Sequence, residues 1–253
     1  NFGINLKNLN SIGKKSSKYK SSVQSEIISL YNVDVSFPLF KENNESKNLL
    51  TPKLSLRFNP SDMKDYSGSA RTIDANNVFA INRLGLSDSF ESGKSLTLGL
   101  DYNIEWLKPK SQNKNKDNIN QINNYFNVKL ATVFRDKEEI FIPNSSTLNR
   151  KNSNLFGSIS NKFSDNINIG YNFSLDNNFN TLEYNNIYTI LSNNNIVTTF
   201  DFIEENGERG DANMFKTSIE YNLNDENFLT FNTQRNRKLN LTEFYDLVYQ
   251  YKN

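Results

Sequence analysis

The feature that most constrains this chain is a two-residue hydrophobic period that recurs along almost its whole length. In the clearest example, KSLTLGLDYNIEW, apolar side chains alternate from Leu96 to Trp106, while polar or small ones alternate from Ser95 to Glu105. Such alternation is typical of a strand with one apolar and one polar face. No window of useful length carries the i, i+3, i+4 stripe of an amphipathic helix. The sequence therefore predicts an all-β, antiparallel fold.

About twelve strands follow from this pattern. They are predicted at 2–9, 22–37, 48–59, 94–107, 121–134, 153–163, 166–176, 180–192, 195–205, 213–224, 227–236 and 240–251. Long or charged connections fall at 10–21, 60–93, 135–152, 177–179, 206–212 and 237–239. The alternate connections are mostly tight, at 163–166, 192–195 and 224–227, with longer ones at 38–47 and 108–120. Long loops on one rim and short turns on the other are typical of an outer-membrane β-barrel.

A soluble sandwich and a transmembrane barrel could both use such strands. Most of the predicted strands reach ten or more residues, whereas soluble strands usually have about five or six. Several aromatic side chains lie near strand ends, where a membrane girdle needs them: Tyr102, Trp106, Tyr184, Tyr188, Tyr249 and Tyr251. A hydrophobic content of 36% is sufficient for a barrel, because only one face of each strand meets lipid. The pattern favours part of a transmembrane barrel wall, which as a fragment would be a curved open sheet.

Composition excludes several kinds of chemistry. The chain has no Cys and no His, which removes disulfides, thiolate catalysis, the usual zinc sites and His-based acid–base catalysis. A net charge of +1 gives no reason to expect a nucleic-acid partner. The pairs Glu138–Glu139 and Glu204–Glu205 are interpreted as solvated charges, and the tripeptide Arg209-Gly210-Asp211 as a chance match in a loop. We therefore expect no enzyme activity and no cofactor.

The segment NVFAINRLGLSDSFESGKSLTLGLDY carries the most specific residues of the chain. They are Asn77, Phe79, Asn82, Arg83, Asp88, Glu91 and Gly93, followed by Gly99 and Tyr102. This set resembles the run N-L-F-x-x-N-R-F-x-G-x-D-x-x-E-G-G, and the strand after it, in the LptD (OstA/Imp) family of lipopolysaccharide-assembly proteins. Other blocks resemble that family in the same order: LLTPKLSLRFNP, SNLFGSISNKFSDNINIGYNFSLD and NTLEYNNIYTIL. Three positions depart from it, since the Gly is one place early at Gly85, and Ser87 and Ser89 replace an aromatic residue and an Arg.

The resemblance implies that residues 1–253 are a single domain within a C-terminal barrel, without the periplasmic jellyroll and the last strands. It implies a place in the Gram-negative outer membrane, where the barrel inserts lipopolysaccharide (LPS) into the outer leaflet. The expected partners are LPS, outer-membrane lipid, a plug lipoprotein of the LptE type and the periplasmic Lpt bridge. Another barrel, such as a porin with a constricting loop folded inward or a TonB-dependent receptor, stays an alternative, as does a secreted Asn-rich β-sandwich binding module.

Two sets of side chains are candidates for functional roles. The predicted loop that ends at Gly93 belongs on the rim with the long connections, and Arg83 with Asp88 or Glu91 offers charge pairs that could fix it over the lumen. Arg235, Arg237 and Lys238 could contact LPS phosphates from a rim loop, or they could be solvated turn residues.

Overall fold

A computed structural model describes residues 1–15, 20–107 and 122–252 as a single antiparallel sheet. Its strands are β1 (Phe2–Ser11), β2 (Gln24–Ser36), β3 (Leu39–Glu42), β4 (Ser46–Asn59), β5 (Gly93–Leu107), β6 (Ile122–Arg135), β7 (Leu155–Ser164), β8 (Ile167–Leu175), β9 (Leu182–Asn193), β10 (Ile196–Glu205), β11 (Asn213–Asn222), β12 (Asn227–Asn236) and β13 (Leu241–Tyr251). The spatial order follows the chain, except that β3 pairs only with β4. The all-β antiparallel prediction is confirmed. No helix in these ranges is long and apolar enough to cross a membrane.

The additional strand β3 was missed by the sequence pattern because a proline divides one strand into two. β2 pairs with β4 through Ser36, and β3 resumes that pairing at Leu39. Pro38 lies between them and cannot donate a backbone hydrogen bond. The connection predicted at 108–120 and the first residue predicted for the next strand lie outside the described residues.

The two faces of the sheet differ as the alternation predicts. Leu98 and Leu100 are 40% and 38% exposed, so they are not enclosed between two sheets as a sandwich would require. The same outer face exposes apolar side chains on other strands, among them Ile4, Val33, Leu56, Ile169, Ile187, Phe200, Ile219 and Leu247. The opposite face carries the polar set and is covered in part by loops. We call these the outer face and the inner face.

Neighbouring strands are strongly staggered at the β1–β2 hairpin. Tyr31 of β2 is paired with Phe58 near the end of β4, so the seven residues before Tyr31 extend roughly 20 Å beyond that end. Stagger of this kind accompanies the strand tilt of a barrel wall. On the inner face of the hairpin, Ile28 and Leu30 form an apolar cluster with Phe90.

The largest apolar core lies between loops and the inner face, not between two layers of sheet. We call residues 60–92, which connect β4 to β5, the signature loop. The core combines three groups: Met63, Tyr66, Ile73, Ala75, Val78, Leu84 and Leu86 from this loop; Ile142 and Leu148 from the β6–β7 connection; and Ala131, Val133 and Phe156 from the wall. The loop leaves and re-enters the wall at the rim of the long connections, where Asn59 pairs with Gly93. From that rim it folds inward, because its apolar side chains require burial and the inner wall supplies it.

Phe156 supplies the largest wall side chain in this core and is fully buried. We expect Phe156→Ala to destabilise the packing of the loops by about 3–5 kcal/mol through loss of burial and the cavity that remains. Limited proteolysis of the detergent-solubilised protein should then cleave the signature loop faster. The matched control is Phe134→Ala, because Phe134 is 39% exposed on the outer face of β6. Equal cleavage rates in the two variants would contradict the inner core.

Candidate functional site: the loop-filled interior

A buried ion cluster joins the signature loop to the wall. The Arg83 guanidinium donates to both carboxylate oxygens of Glu91, with Nε–Oε2 at 2.7 Å and Nη2–Oε1 at 2.5 Å. Arg135 of β6 donates to the same Oε1 and to the carbonyl oxygen of Ser92. The Arg83, Glu91 and Arg135 side chains are only 0%, 5% and 1% exposed. A two-point contact of this kind fixes both distance and orientation.

Two further strands contribute to the cluster from the inner face. Arg83 Nη1 lies 3.0 Å from Thr97 Oγ1, and Nη2 lies 3.2 Å from Ser95 Oγ, both on β5. Arg57 of β4 donates to the carbonyl oxygens of Ala80 and Ile81 in the loop. Polar side chains of β4, β5 and β6 thus hold one segment of the loop against the wall.

Of the two partners expected for Arg83, Glu91 is the one that it contacts. Asp88 lies elsewhere in the same loop and accepts a hydrogen bond from the Tyr66 hydroxyl. Burial alone would raise the pKa of the Glu91 carboxyl, but the guanidinium groups of Arg83 and Arg135 outweigh it and hold that pKa at about 2. Glu91 is therefore a carboxylate at neutral pH.

Phe79 anchors the loop at a second point, deeper on the wall. Its ring lies directly over Gly99, six residues into β5 and roughly 20 Å along the strand. A Cβ atom at position 99 would be 2.6 Å from two of the ring carbons, so a residue with a side chain cannot occupy it unchanged. Below this point Lys129 Nζ donates to Asn76 Oδ1 at 2.8 Å.

The remaining signature residues shape the loop itself. Asn77 and Asp74 form a reciprocal pair, in which each side-chain oxygen accepts the other's backbone N–H at 2.9 Å. The Asn82 side chain both donates to and accepts from the backbone of Leu86. This closes a turn around Gly85, whose φ of 61° favours glycine. Gly93 is the first residue of β5.

The three cations proposed to contact phosphate lie apart from the signature residues, at the far end of the sheet. Arg235 is paired with Phe215 on the outer face of β12, and the Arg237 guanidinium lies 5.3 Å from the centre of the Phe202 ring. Lys238 forms an ion pair with Asp211 of the preceding loop. All three side chains are exposed, and the two arginines adjoin the apolar outer face.

Sequence reasoning missed the wall arginines that complete the interior. Arg57 and Arg135 are 7% exposed, but the alternation marks them only as members of a polar face. Arg209 is 6% exposed and donates to the Ile73 carbonyl oxygen at 2.7 Å, so it fastens the β10–β11 loop to the signature loop. Because its side chain is buried, Arg209 is not accessible to a partner protein that would recognise an exposed Arg-Gly-Asp tripeptide. Within the described ranges, no group of three or more acidic residues could hold a metal ion.

The pKa of Glu91 makes the anchoring of the loop dependent on pH. Because the folded-state pKa of about 2 lies below the ordinary 4.5, stability is fully present above pH 4.5 and is lost as the pH falls toward 2. Hydrogen–deuterium exchange, corrected for intrinsic rates, should show the loop opening within that interval. Glu91→Gln should be less protected at neutral pH and insensitive to pH across the same interval. A variant that keeps the pH-dependent opening would contradict the assignment to Glu91.

The contact between Phe79 and Gly99 predicts a specific pattern of rescue. Gly99→Ala should destabilise the protein by about 1–3 kcal/mol, because the added methyl group overlaps the ring. Phe79→Leu should remove most of that cost when it is combined with Gly99→Ala, although it is destabilising alone. Urea unfolding in detergent of the four proteins of this double-mutant cycle measures the coupling. Additive effects would contradict the contact.

Comparisons with known proteins place this geometry in context. Among solved structures, two mutant forms of Rh. blastica porin align with it at 10% identity, with TM-scores of 0.34 and 0.33. A structure described as "Asymmetric conductivity of engineered proteins" aligns at 9% identity with a TM-score of 0.35. Each alignment covers 99% of both chains. No curated protein matches.

The comparison with protein families is decisive. The family described as LPS transport system D matches residues 5–228. The match runs from β1 to the beginning of β12 and includes the whole signature loop with its buried ion cluster. The chain therefore belongs to the LptD family, LPS transport system D.

Proposed function

We propose that this chain forms part of the wall of an outer-membrane translocon that delivers LPS to the outer leaflet. Membership of the family supports a role in LPS transport. The observation that carries the proposal is the interior. Among the residues that the chain shares with the family motif, Arg83, Glu91 and Phe79 fix the signature loop against the wall. On this proposal residues 1–253 are one domain of the barrel, in the outer membrane of a Gram-negative bacterium.

The two faces of the sheet suit the two parts of an LPS molecule. The inner face offers hydroxyl, amide and carboxylate groups, as in the contact between Asn172 Nδ2 and Asn186 Oδ1 at 3.1 Å. Such groups can exchange partners with the hydroxyls of a sugar without covalent chemistry. Acyl chains would lie against the apolar outer face, where each Å² of apolar surface removed from water contributes roughly 25 cal/mol.

The signature loop acts in this proposal as a fixed partition inside the barrel. It contacts the inner face of β4 to β7, and the β10–β11 loop reaches it through Arg209. A loop held in this way narrows the lumen beside those strands. The partition would limit leakage of small solutes while the remaining polar wall stays available to the transported glycan.

Two arginines on the outer face are candidates for contacts with LPS outside the lumen. Arg235 and Arg237 lie on the outer face, at the rim that carries the long loops. That position suits cations that meet the phosphates of outer-leaflet LPS, although Arg235 also donates to Asn240 and Lys238 is paired with Asp211. The plug lipoprotein of the LptE type and the periplasmic Lpt bridge are the protein partners that the family suggests.

A porin is the second candidate, because an inward-folded loop is the feature expected of one. A diffusion pore and an LPS translocon differ in what their loss does to a cell. Depletion of a porin lowers the uptake of small solutes, whereas depletion of the translocon removes LPS from the cell surface. Normal surface LPS in cells depleted of this protein would contradict the proposed function.

The role of the partition is tested by changing its buried anchor. We expect Arg83→Ala to cost about 3–5 kcal/mol, because it leaves Glu91 buried without its main partner. Cells that carry this variant should admit a large antibiotic that the intact outer membrane excludes. Arg83→Lys should restore the charge without the two-point contact and give an intermediate result.

Arg150→Ala is the matched control for that experiment. Arg150 pairs with Glu208 at 2.7 Å in neighbouring loops, but the two side chains are 27% and 42% exposed. Removal of an exposed pair should cost at most about 1 kcal/mol and leave antibiotic entry unchanged. If Arg83→Ala assembles normally and matches this control in permeability, the partition is not anchored as proposed.

A further inference from the structure

The inner face of β10 to β13 contains a polar cleft that the signature loop leaves open. Its volume is about 430 Å³, within the range of small-molecule sites. The principal side chains that line it are Asp201, Lys216, Ser218, Asn232, Gln234 and Phe244. It is thus a concave surface with carboxylate, ammonium, hydroxyl, amide and aromatic groups together.

A β-bulge at the end of this cleft adds one side chain beside it. Gln234 is paired with Phe244 and Arg235 with Thr242, so Glu243 is the extra residue of β13. A bulge re-aims side chains, and here Glu243 accepts a hydrogen bond from Gln234. Phe244 lines the same cleft because its regular pairing with Gln234 places it on the inner face. The next residue, Tyr245, returns to the outer face and stacks with Phe231.

The polar groups of the cleft are only partly satisfied by the protein. Ser218 donates to Asn232 at 2.7 Å, and Asp201 accepts from Asn186. Among the described residues, the side chains of Lys216 and Asp246 have no hydrogen-bond or ion-pair partner. Phe244 is 45% exposed, although it lies on a polar face. An exposed aromatic ring beside unpaired hydrogen-bonding groups suits a ligand that has both an apolar face and many hydroxyl groups.

We propose that this cleft binds a sugar residue of the saccharide portion of LPS. The C–H face of a pyranose ring would lie on Phe244. Asp201, Asp246 and the amides would accept or donate hydrogen bonds with its hydroxyls, and Lys216 would face an acidic or phosphorylated substituent. The inference rests on the proposed transport function and deepens it, because it assigns the glycan to one part of the wall.

The test uses the full-length protein in detergent micelles and core oligosaccharide released from LPS by mild acid, which lacks the acyl chains. Titration calorimetry should detect saturable binding to the unchanged protein. Phe244→Leu should weaken that binding about tenfold or more, which corresponds to roughly 1.4 kcal/mol. Phe244→Tyr keeps the ring and should bind normally. Lys216→Met should weaken binding of the phosphorylated oligosaccharide more than that of its dephosphorylated form.

Tyr245→Leu is the matched control, since it removes an aromatic ring from the outer face of the same strand. Heat-dependent mobility on gels verifies that each variant remains folded. Absence of saturable binding by the unchanged protein, or equal weakening in Phe244→Leu and Tyr245→Leu, would overturn the proposal. Surface LPS in cells is scored separately. If oligosaccharide binding is lost in Phe244→Leu but surface LPS stays normal in cells that carry this variant, only the role of the cleft is rejected. If the unchanged protein binds the oligosaccharide but surface LPS stays normal after depletion of the protein, only the transport function is rejected.

Discussion

The two-point contact between Arg83 and Glu91, shared with Arg135, is the interaction on which the interior depends. It is local within the loop and also joins the loop to β6. All three side chains are buried, so breaking any of these ion pairs would leave a charge unpaired and away from water. The free-energy cost of such a charge keeps the three side chains together. Arg57 adds a further cation without a second carboxylate, and loop carbonyl oxygens receive its hydrogen bonds. The polar wall therefore binds loop backbone as well as loop side chains.

This cluster allows the apolar core to lie on the polar side of the sheet. In most soluble proteins the apolar face of a sheet is the buried one, but here Leu98 and its neighbours remain exposed on the outer face. The core residues Val78, Leu86 and Phe156 lie on the other side, between loop and wall. The sheet thus separates two sets of apolar side chains, one exposed on the outer face and suited to lipid, and one packed between the loops and the inner face. That division explains how a chain with 36% hydrophobic residues can support both.

The strands could be predicted from the sequence because alternation is a local property. The destination of the signature loop could not, because it depends on small or apolar wall positions such as Ala131 and Phe156 that belong to distant segments. The wall arginines were missed because the alternation shows only that Arg57 lies on the polar face of its strand. It does not show whether the side chain contacts a loop or water. Phe244 did give a signal. It alternates in step with Asp246, so the regular pairing of β13 with β12 places it on the inner face.

The signature loop and the cleft divide the inner wall between them. The loop is fixed against β4 to β7 by ions, by Phe79 on Gly99 and by the shared apolar core, so opening that part requires several buried contacts to break together. Among the described residues, nothing comparable covers the inner face of β10 to β13, which keeps unpaired polar side chains. If the chain transports LPS as proposed, a glycan that passes along the described wall would meet an open polar surface beside β10 to β13. Within that proposal, the family motif constrains the part of the wall that the loop covers, and residues outside the motif line the part that a glycan would follow.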